Sequence, residues 1–257
     1  YFNIFALKKR MNIVSVILIV IPLALAPGIG ICFLIYFRDK FEKEPFRLLR
    51  NCFLFGMLSI VPAIIIEGTF NIAGINENHG LIETFMYAFF VVAVAEELSK
   101  FFFLKKYAYK KTDFNEPFDG IVYAVMISMG FATIENVMYV LMSGIGTAVL
   151  RMFTAVPLHA TCAVFMGYFV GKAKFSDKKF ANIVTGIILA VIIHGLYDFF
   201  LFQKDIPALG IFSFITLGAS VGLSFVAINK LQKNSPFKNR KIENIIIPEK
   251  KENPENN

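Results

Sequence analysis

Seven apolar runs of near membrane-spanning length decide what this chain can become. They cover roughly residues 12–37, 52–73, 81–104, 119–143, 152–172, 181–202 and 207–229. Hydrocarbon offers no partner to exposed backbone groups. A segment crossing ~30 Å of it must therefore be a helix of about 20 apolar residues, or a strand in a closed barrel. None of the runs alternates with period two, which argues against an outer-membrane barrel. The expected fold class is all-α, a polytopic transmembrane helical bundle of about seven spans. Composition agrees: 56% of the 257 residues are hydrophobic and the 18% that are charged bunch between the runs. Soluble domains run nearer 45–50% apolar and spread their charges.

The net charge of +7 calls for no nucleic acid, because the basic residues sit where topology needs them. Arg38, Lys40, Lys43, Arg47 and Arg50 follow the first run. Lys105, Lys106, Lys110 and Lys111 follow the third, and Lys172, Lys174, Lys178 and Lys179 the fifth. The alternate connections hold only Arg151 and Lys204. The positive-inside rule then predicts a multi-pass protein of the cell membrane with its N-terminus outside and its C-terminus in the cytoplasm. Lys8, Lys9 and Arg10 contradict that orientation, and Met11 follows them. Residues 1–10 are accordingly expected to be upstream or non-native sequence. Residues 11–230 form the transmembrane domain. Residues 231–257, rich in Lys, Asn, Glu and Pro, form a disordered cytoplasmic tail. Cys32, Cys52 and Cys162 all lie in apolar runs without a CxxC pair, and read as reduced core residues. Small-xxx-small pairs at Gly167/Gly171 and Gly218/Gly222 are packing signals.

Several residues inside the runs are costly there: Glu67, Glu96, Glu97, Lys100, Glu135, His159, His194 and Asp198. A central charge costs about 2.5–3.5 kcal/mol to insert, while each large apolar residue returns roughly 0.3–0.6. The third run, with Glu96, Glu97 and Lys100, is marginal alone, so its polar groups must face the bundle interior. Glu96 and Lys100 are i,i+4 and suit an internal ion pair. Glu97 lies about 100° round the helix, free to reach another helix. His194 and Asp198 are also i,i+4, which lets both reach one ion or lets Asp198 orient the imidazole. Counted from the ends of the apolar runs, Glu97 is ~11 Å deep and the two histidines ~20 Å deep. Glu67 has no companion motif and reads as structural or near the outer interface. Histidine and carboxylate ligands with an open position are how Zn²⁺ generates hydroxide near neutral pH. Spacing alone leaves three readings open: a hydrolytic metal site, a proton or ion path, and structural polar packing.

Four segments carry a resemblance. GluGluLeuSerLys at 96–100 resembles the EExxK motif of the PrsW family of intramembrane proteases, relatives of type II CAAX prenyl proteases and bacteriocin-immunity proteins. GluProPheAspGlyIleValTyr at 116–123, GlyPheAlaThrIleGluAsn at 130–136 and HisGlyLeuTyrAsp at 194–198 are similar to that family in the same order. Arg38-Asp39 with GluLysGluPro at 42–45 resembles its acidic-proline loop, Lys43 replacing a usual Pro. The resemblance implies peptide-bond hydrolysis in or near the membrane, on single-pass membrane-anchored substrates such as anti-sigma factors. It makes Glu96 or Glu97 the general base and His159 and His194 metal ligands, the metal being Zn²⁺. The third ligand is Glu135, which stands where the prenyl-protease branch carries His, or a glutamate of the third run. Asp198, where that branch often carries Asn, and Asn136 are assigned orienting roles. Lys100 would hold Glu96 ionised, leaving Glu97 to move the proton. Asp119 would cap its helix. Rival readings are an ion-coupled transporter, which predicts paired repeats, and a non-catalytic immunity or scaffold protein.

Overall fold

The computed structural model describes residues 21–76 and 80–238. The expectation for residues 1–10, the start of the first run and most of the tail lie outside them. Helix α1 is Ile21–Arg38 and α2 is Phe46–Ile72. Leu81–Met86, a π-helical stretch Tyr87–Ala93 and Val94–Lys106 follow one another without a break and together form α3. Then come α4 (Pro117–Ser143), α5 (Ile145–Phe153), α6 (Ala155–Lys174), α7 (Lys179–Leu201) and α8 (Ile211–Lys233). Among the described residues there is no strand. The result is the all-α bundle expected of the apolar runs.

Among the described residues, six helical segments are long and apolar enough to cross a membrane: α1, α2, α4, α5 with α6, α7, and α8 with its preceding turn. The seventh expected span, α3, falls outside that group. At ~1.5 Å per residue it is long enough, but its apolar run is broken by Glu96, Glu97 and Lys100, and it depends on its neighbours to bury them. The tail also begins later than the boundary after residue 230. Helix α8 continues to Lys233, and Gln232 is buried, its amide donating to the Arg38 carbonyl. One good acceptor at a helix end is enough to draw in a residue whose type reads as tail.

Helix α4 is the axis of the bundle. Every residue from Phe118 to Thr133 is buried, and α4 packs against α6, α2 and α1. Glycine sets those crossings. A Cβ on Gly120 would lie 2.4 Å from the Gly167 carbonyl oxygen, and one on Gly171 2.0 Å from that of Pro117. Gly218 and Gly222, the other small-residue pair, face nothing within 4 Å. The outer helices leave Phe33, Ile65, Ile66, Phe214 and Ile215 exposed, a surface suited to lipid and not to water.

The three basic connections meet at one end of the bundle. Lys174 Nζ donates to the carbonyls of Tyr109 and Lys111, and Tyr123 OH to Glu44. Asp119 is not the cap of α4. Glu116 is the N-cap, Pro117 takes the first helical position, and Asp119 closes a capping box at N3. Its Oδ2 accepts from the backbone N–H of Asn115 and Glu116 at 2.8 Å each.

Candidate active site

Five helices deliver the costly residues to one place. Helical spacing puts Glu96 with Lys100 on one face of α3 and His194 with Asp198 on one face of α7. On α4, Ser128, Phe131 and Glu135 share the face turned to His159 of α6. Ser128 Oγ donates to the His159 carbonyl at 2.8 Å, and the Phe131 and His159 rings meet edge on with centroids 5.7 Å apart. Gly195 lets α7 come close to the π-helical stretch of α3, since a Cβ there would lie 2.6 Å from the Phe89 ring. Such π turns occur often beside functional residues, and this one ends three residues before Glu96.

Glu96, Glu97, His159 and His194 are all buried, and one donor atom from each lies within 4.8 Å of the others. Depth counted along apolar runs is therefore too coarse to separate them. Lys100 Nζ reaches Glu97 Oε1 at 2.8 Å, Glu96 Oε2 at 3.1 Å and His159 Nδ1 at 3.1 Å, and lies 4.1 Å above the Phe131 ring. It thus serves both glutamates, where a division had been expected. Glu97 does reach a second helix, its Oε1 standing 2.9 Å from His194 Nδ1. Its Oε2 is buried without a hydrogen-bond partner. Asp198 Oδ2 is 3.2 Å from His194 Nε2.

Glu135 does not join the four. Its Oε2 lies 2.7 Å from His159 Nε2, the nitrogen on the other side of the ring from Lys100, and 2.6 Å from Arg151 Nη2. The guanidinium also donates through Nε to Asn136 Oδ1 at 2.8 Å and lies over the Tyr139 ring at 3.9 Å. Asn136 therefore holds Arg151, and Arg151 holds Glu135 behind His159. Sequence reasoning missed Arg151 by counting it as a topological charge. The signal was there: it is a lone cation in an apolar segment, in the last turn of a short helix and eight residues before His159. Glu67, read as structural or near the outer interface, lines the same cavity as Glu96, Glu135, Arg151, His159, His194 and Asp198, a space of about 510 Å³ walled largely by apolar side chains such as Ile60, Met138 and Leu158. Glu97 lies behind that wall.

Two imidazoles and two carboxylates are the borderline donor set that zinc takes. The buried, donorless Glu97 oxygen adds an acceptor waiting for a cation. Among the described residues, Glu67, Glu96, Glu135 and Asp198 in the cavity wall and Glu97 behind it are matched by the fixed cations Lys100 and Arg151, an imbalance a divalent ion offsets. The residues fit a metal.

Residues 44–228 match the family model described as PrsW family intramembrane metalloprotease. Among curated proteins, the Protease PrsW of Geobacillus kaustophilus is 36% identical over 186 residues, 72% of this chain and 80% of that protein. That of Halalkalibacterium halodurans is 32% identical over 212 residues, 81% of this chain and 94% of that protein. That of Bacillus subtilis is 34% identical over 184 residues, 71% and 82%. No solved structure matches. The transporter and non-catalytic readings give way to a protease. A family model spanning most of the chain and relatives above 30% identity show that it belongs to the PrsW family of intramembrane metalloproteases, a multi-pass integral membrane protease working on membrane-protein substrates in the bilayer.

Proposed function

We propose that His159, His194 and Glu97 hold a zinc ion with one position left open, and that Glu96 beside it is the general base of peptide-bond hydrolysis in a single-pass, membrane-anchored protein of the anti-sigma-factor kind. The observation carrying this reading is the convergence of four buried N and O donors at the wall of a 510 Å³ cavity. Bound there, zinc supplies Lewis acidity that favours hydroxide near neutral pH and stabilises negative charge on the scissile carbonyl.

The chain's own residues do the rest. Glu96 faces the cavity and is the carboxylate placed to take a proton from water and pass it to the leaving amine. Glu97, with Oε1 held by Lys100 and His194, is anchored too deeply for that traffic and fixes the geometry of both partners. Asp198 on His194 and Glu135 on His159 orient the rings, and Arg151 keeps Glu135 ionised by ion pairing. The apolar walls accept side chains from an unwound transmembrane segment while the polar floor admits water. In this reading the end bearing the basic loops faces the cytoplasm.

Full-length protein in liposomes with a single-pass anti-sigma factor should release a fragment identifiable by mass spectrometry. Glu96→Gln, folded and metal-loaded, should release none. Equal release by both would refute the assignment of Glu96.

A further inference from the structure

The cavity beside the metal donors carries one charge that its neighbours do not answer. Ile60, Ala63, Ile64 and Glu67 line it from α2 at positions i, i+3, i+4 and i+7, a single helical face. The other acids in the wall are held. Glu96 receives Lys100 at 3.1 Å, Glu135 lies 2.6 Å from Arg151, and Asp198 lies 3.2 Å from His194. Among the described residues, the Glu67 carboxylate has neither a hydrogen bond nor an ion pair. Its backbone is fixed instead. The Asn71 amide donates to the Glu67 carbonyl at 3.0 Å and to the Tyr87 hydroxyl at 2.8 Å, which ties this turn of α2 to α3.

The balance of charge points the same way. With neutral imidazoles, the five carboxylates in and behind the wall meet Lys100, Arg151 and one divalent ion, which leaves one negative charge over. Glu67 is the acid with no partner to share it. An unpaired carboxylate between apolar walls is costly, and a cation carried in by the substrate removes that cost. We infer that Glu67 is a specificity-determining residue that pairs with a Lys or Arg side chain of the substrate near the scissile bond, a role that rests on this cavity being the active site. Ile60 clusters with Phe131, whose ring meets His159, so Ile60 marks the level of the metal donors on α2. Glu67 lies seven residues further along that helix, ~10 Å at 1.5 Å per residue. An extended substrate covers that distance in about three residues. The basic residue therefore lies roughly two to four positions from the cleaved bond, toward the end of the bundle away from the basic loops.

The test uses the full-length, metal-loaded protein in liposomes and a single-pass anti-sigma-factor segment whose cleaved bond has been mapped by mass spectrometry. Each of about four positions on either side of that bond is replaced in turn by Lys, Gln and Glu. At one or two of them Lys should exceed Gln in kcat/KM by roughly tenfold to a hundredfold, the worth of a hydrogen bond to a charged group. Glu there should fall below Gln. In Glu67→Gln the ratio of Lys to Gln should fall close to one, and in Glu67→Lys the order should reverse in favour of Glu. Each ratio compares two substrates of one preparation, so it does not depend on how much of a variant folds. Glu96→Gln should bind the same peptides, fluorophore-labelled, with the same ratio of Lys to Gln in affinity, so the preference is read without any cleavage. Cleavage that persists in Glu96→Gln would overturn the general base and leave the ratio standing. A wild-type enzyme indifferent to charge at every position, or a preference for Lys unchanged in Glu67→Gln, overturns the role of Glu67.

Discussion

The rings of His159 and His194 stand edge to face, centroids 5.2 Å apart and planes at 83°. They come from α6 and α7, and each is 2% exposed. Bringing two imidazoles together in an apolar bundle is costly unless something shares their lone pairs or protons. Each of the four ring nitrogens meets a partner, His159 through Lys100 and Glu135 and His194 through Glu97 and Asp198, and in the proposed reading a metal ion binds by replacing one such contact on each ring.

Elemental analysis of protein purified without chelators should therefore find about one zinc per chain, and His159→Ala/His194→Ala should find none. Proteolysis that stays complete in a chelated, metal-free preparation would instead mean that the glutamates work alone.

Glu96 and Glu97 are adjacent in sequence yet differently placed. Glu96 borders the cavity, whereas Glu97 is wholly buried behind it and holds Lys100 and His194. Glu96→Gln should lower kcat by about 10²–10⁴-fold, the usual worth of a general base, at unchanged Tm and zinc content. Glu97→Gln should lower zinc content and Tm as well as activity. The same loss of rate with undisturbed metal and stability in both variants would erase the distinction.

The bundle and half of its site are legible in the sequence because both are periodic. Apolar runs mark helices through their length, and Glu96/Lys100 and His194/Asp198 mark shared faces through their i,i+4 spacing. Arg151 and Glu67 escape that reading. A single arginine between two spans looks like a topological charge, and a lone glutamate on α2 has no neighbour to announce it. Only the packing of α5 against α4 and α6 gives Arg151 its role. Glu135 is legible as a partner of the histidines but its side of the ring is not, since a carboxylate near a histidine serves as well behind the ring as beside a metal.

The small-residue pairs offer a clean contrast, identical in spacing and opposite in structure. Gly171→Ala would drive a methyl group to 2.0 Å from the Pro117 carbonyl, so α4 and α6 must part. Thermal denaturation in detergent should show a loss of roughly 1–3 kcal/mol, typical of overpacking. Gly218→Ala, with open space at its Cβ, should leave Tm unchanged. Equal effects would mean that α8 packs against something in the bilayer.

The three basic loops share one end of the bundle, which makes a single orientation test decisive for all of them. With the endogenous cysteines replaced, a cysteine at Asn76 or Gly80 should react with a membrane-impermeant maleimide added outside intact cells. A cysteine at Thr112 should react only after lysis. The reverse pattern would invert the topology.

The last prediction concerns Arg151 and Glu135, whose side chains are 12% and 15% exposed and whose pairing at 2.6 Å is flanked by Asn136 and Tyr139. Removing one member of a buried ion pair leaves the other charged without compensation, at about 3–5 kcal/mol, whereas removing both can be close to neutral. Arg151→Leu should therefore destabilise the protein by about that amount. Adding Glu135→Gln should recover much of it, because glutamine keeps a hydrogen bond to His159 Nε2 without the stranded charge. Activity should not recover in the double variant, since His159 then lacks its anionic partner and loses the orientation that Glu135 provides. A double-mutant cycle on Tm, read beside kcat, separates the two roles. Additive losses in stability would show that the two residues act independently, and a double variant with full activity would show that Arg151 and Glu135 only pack.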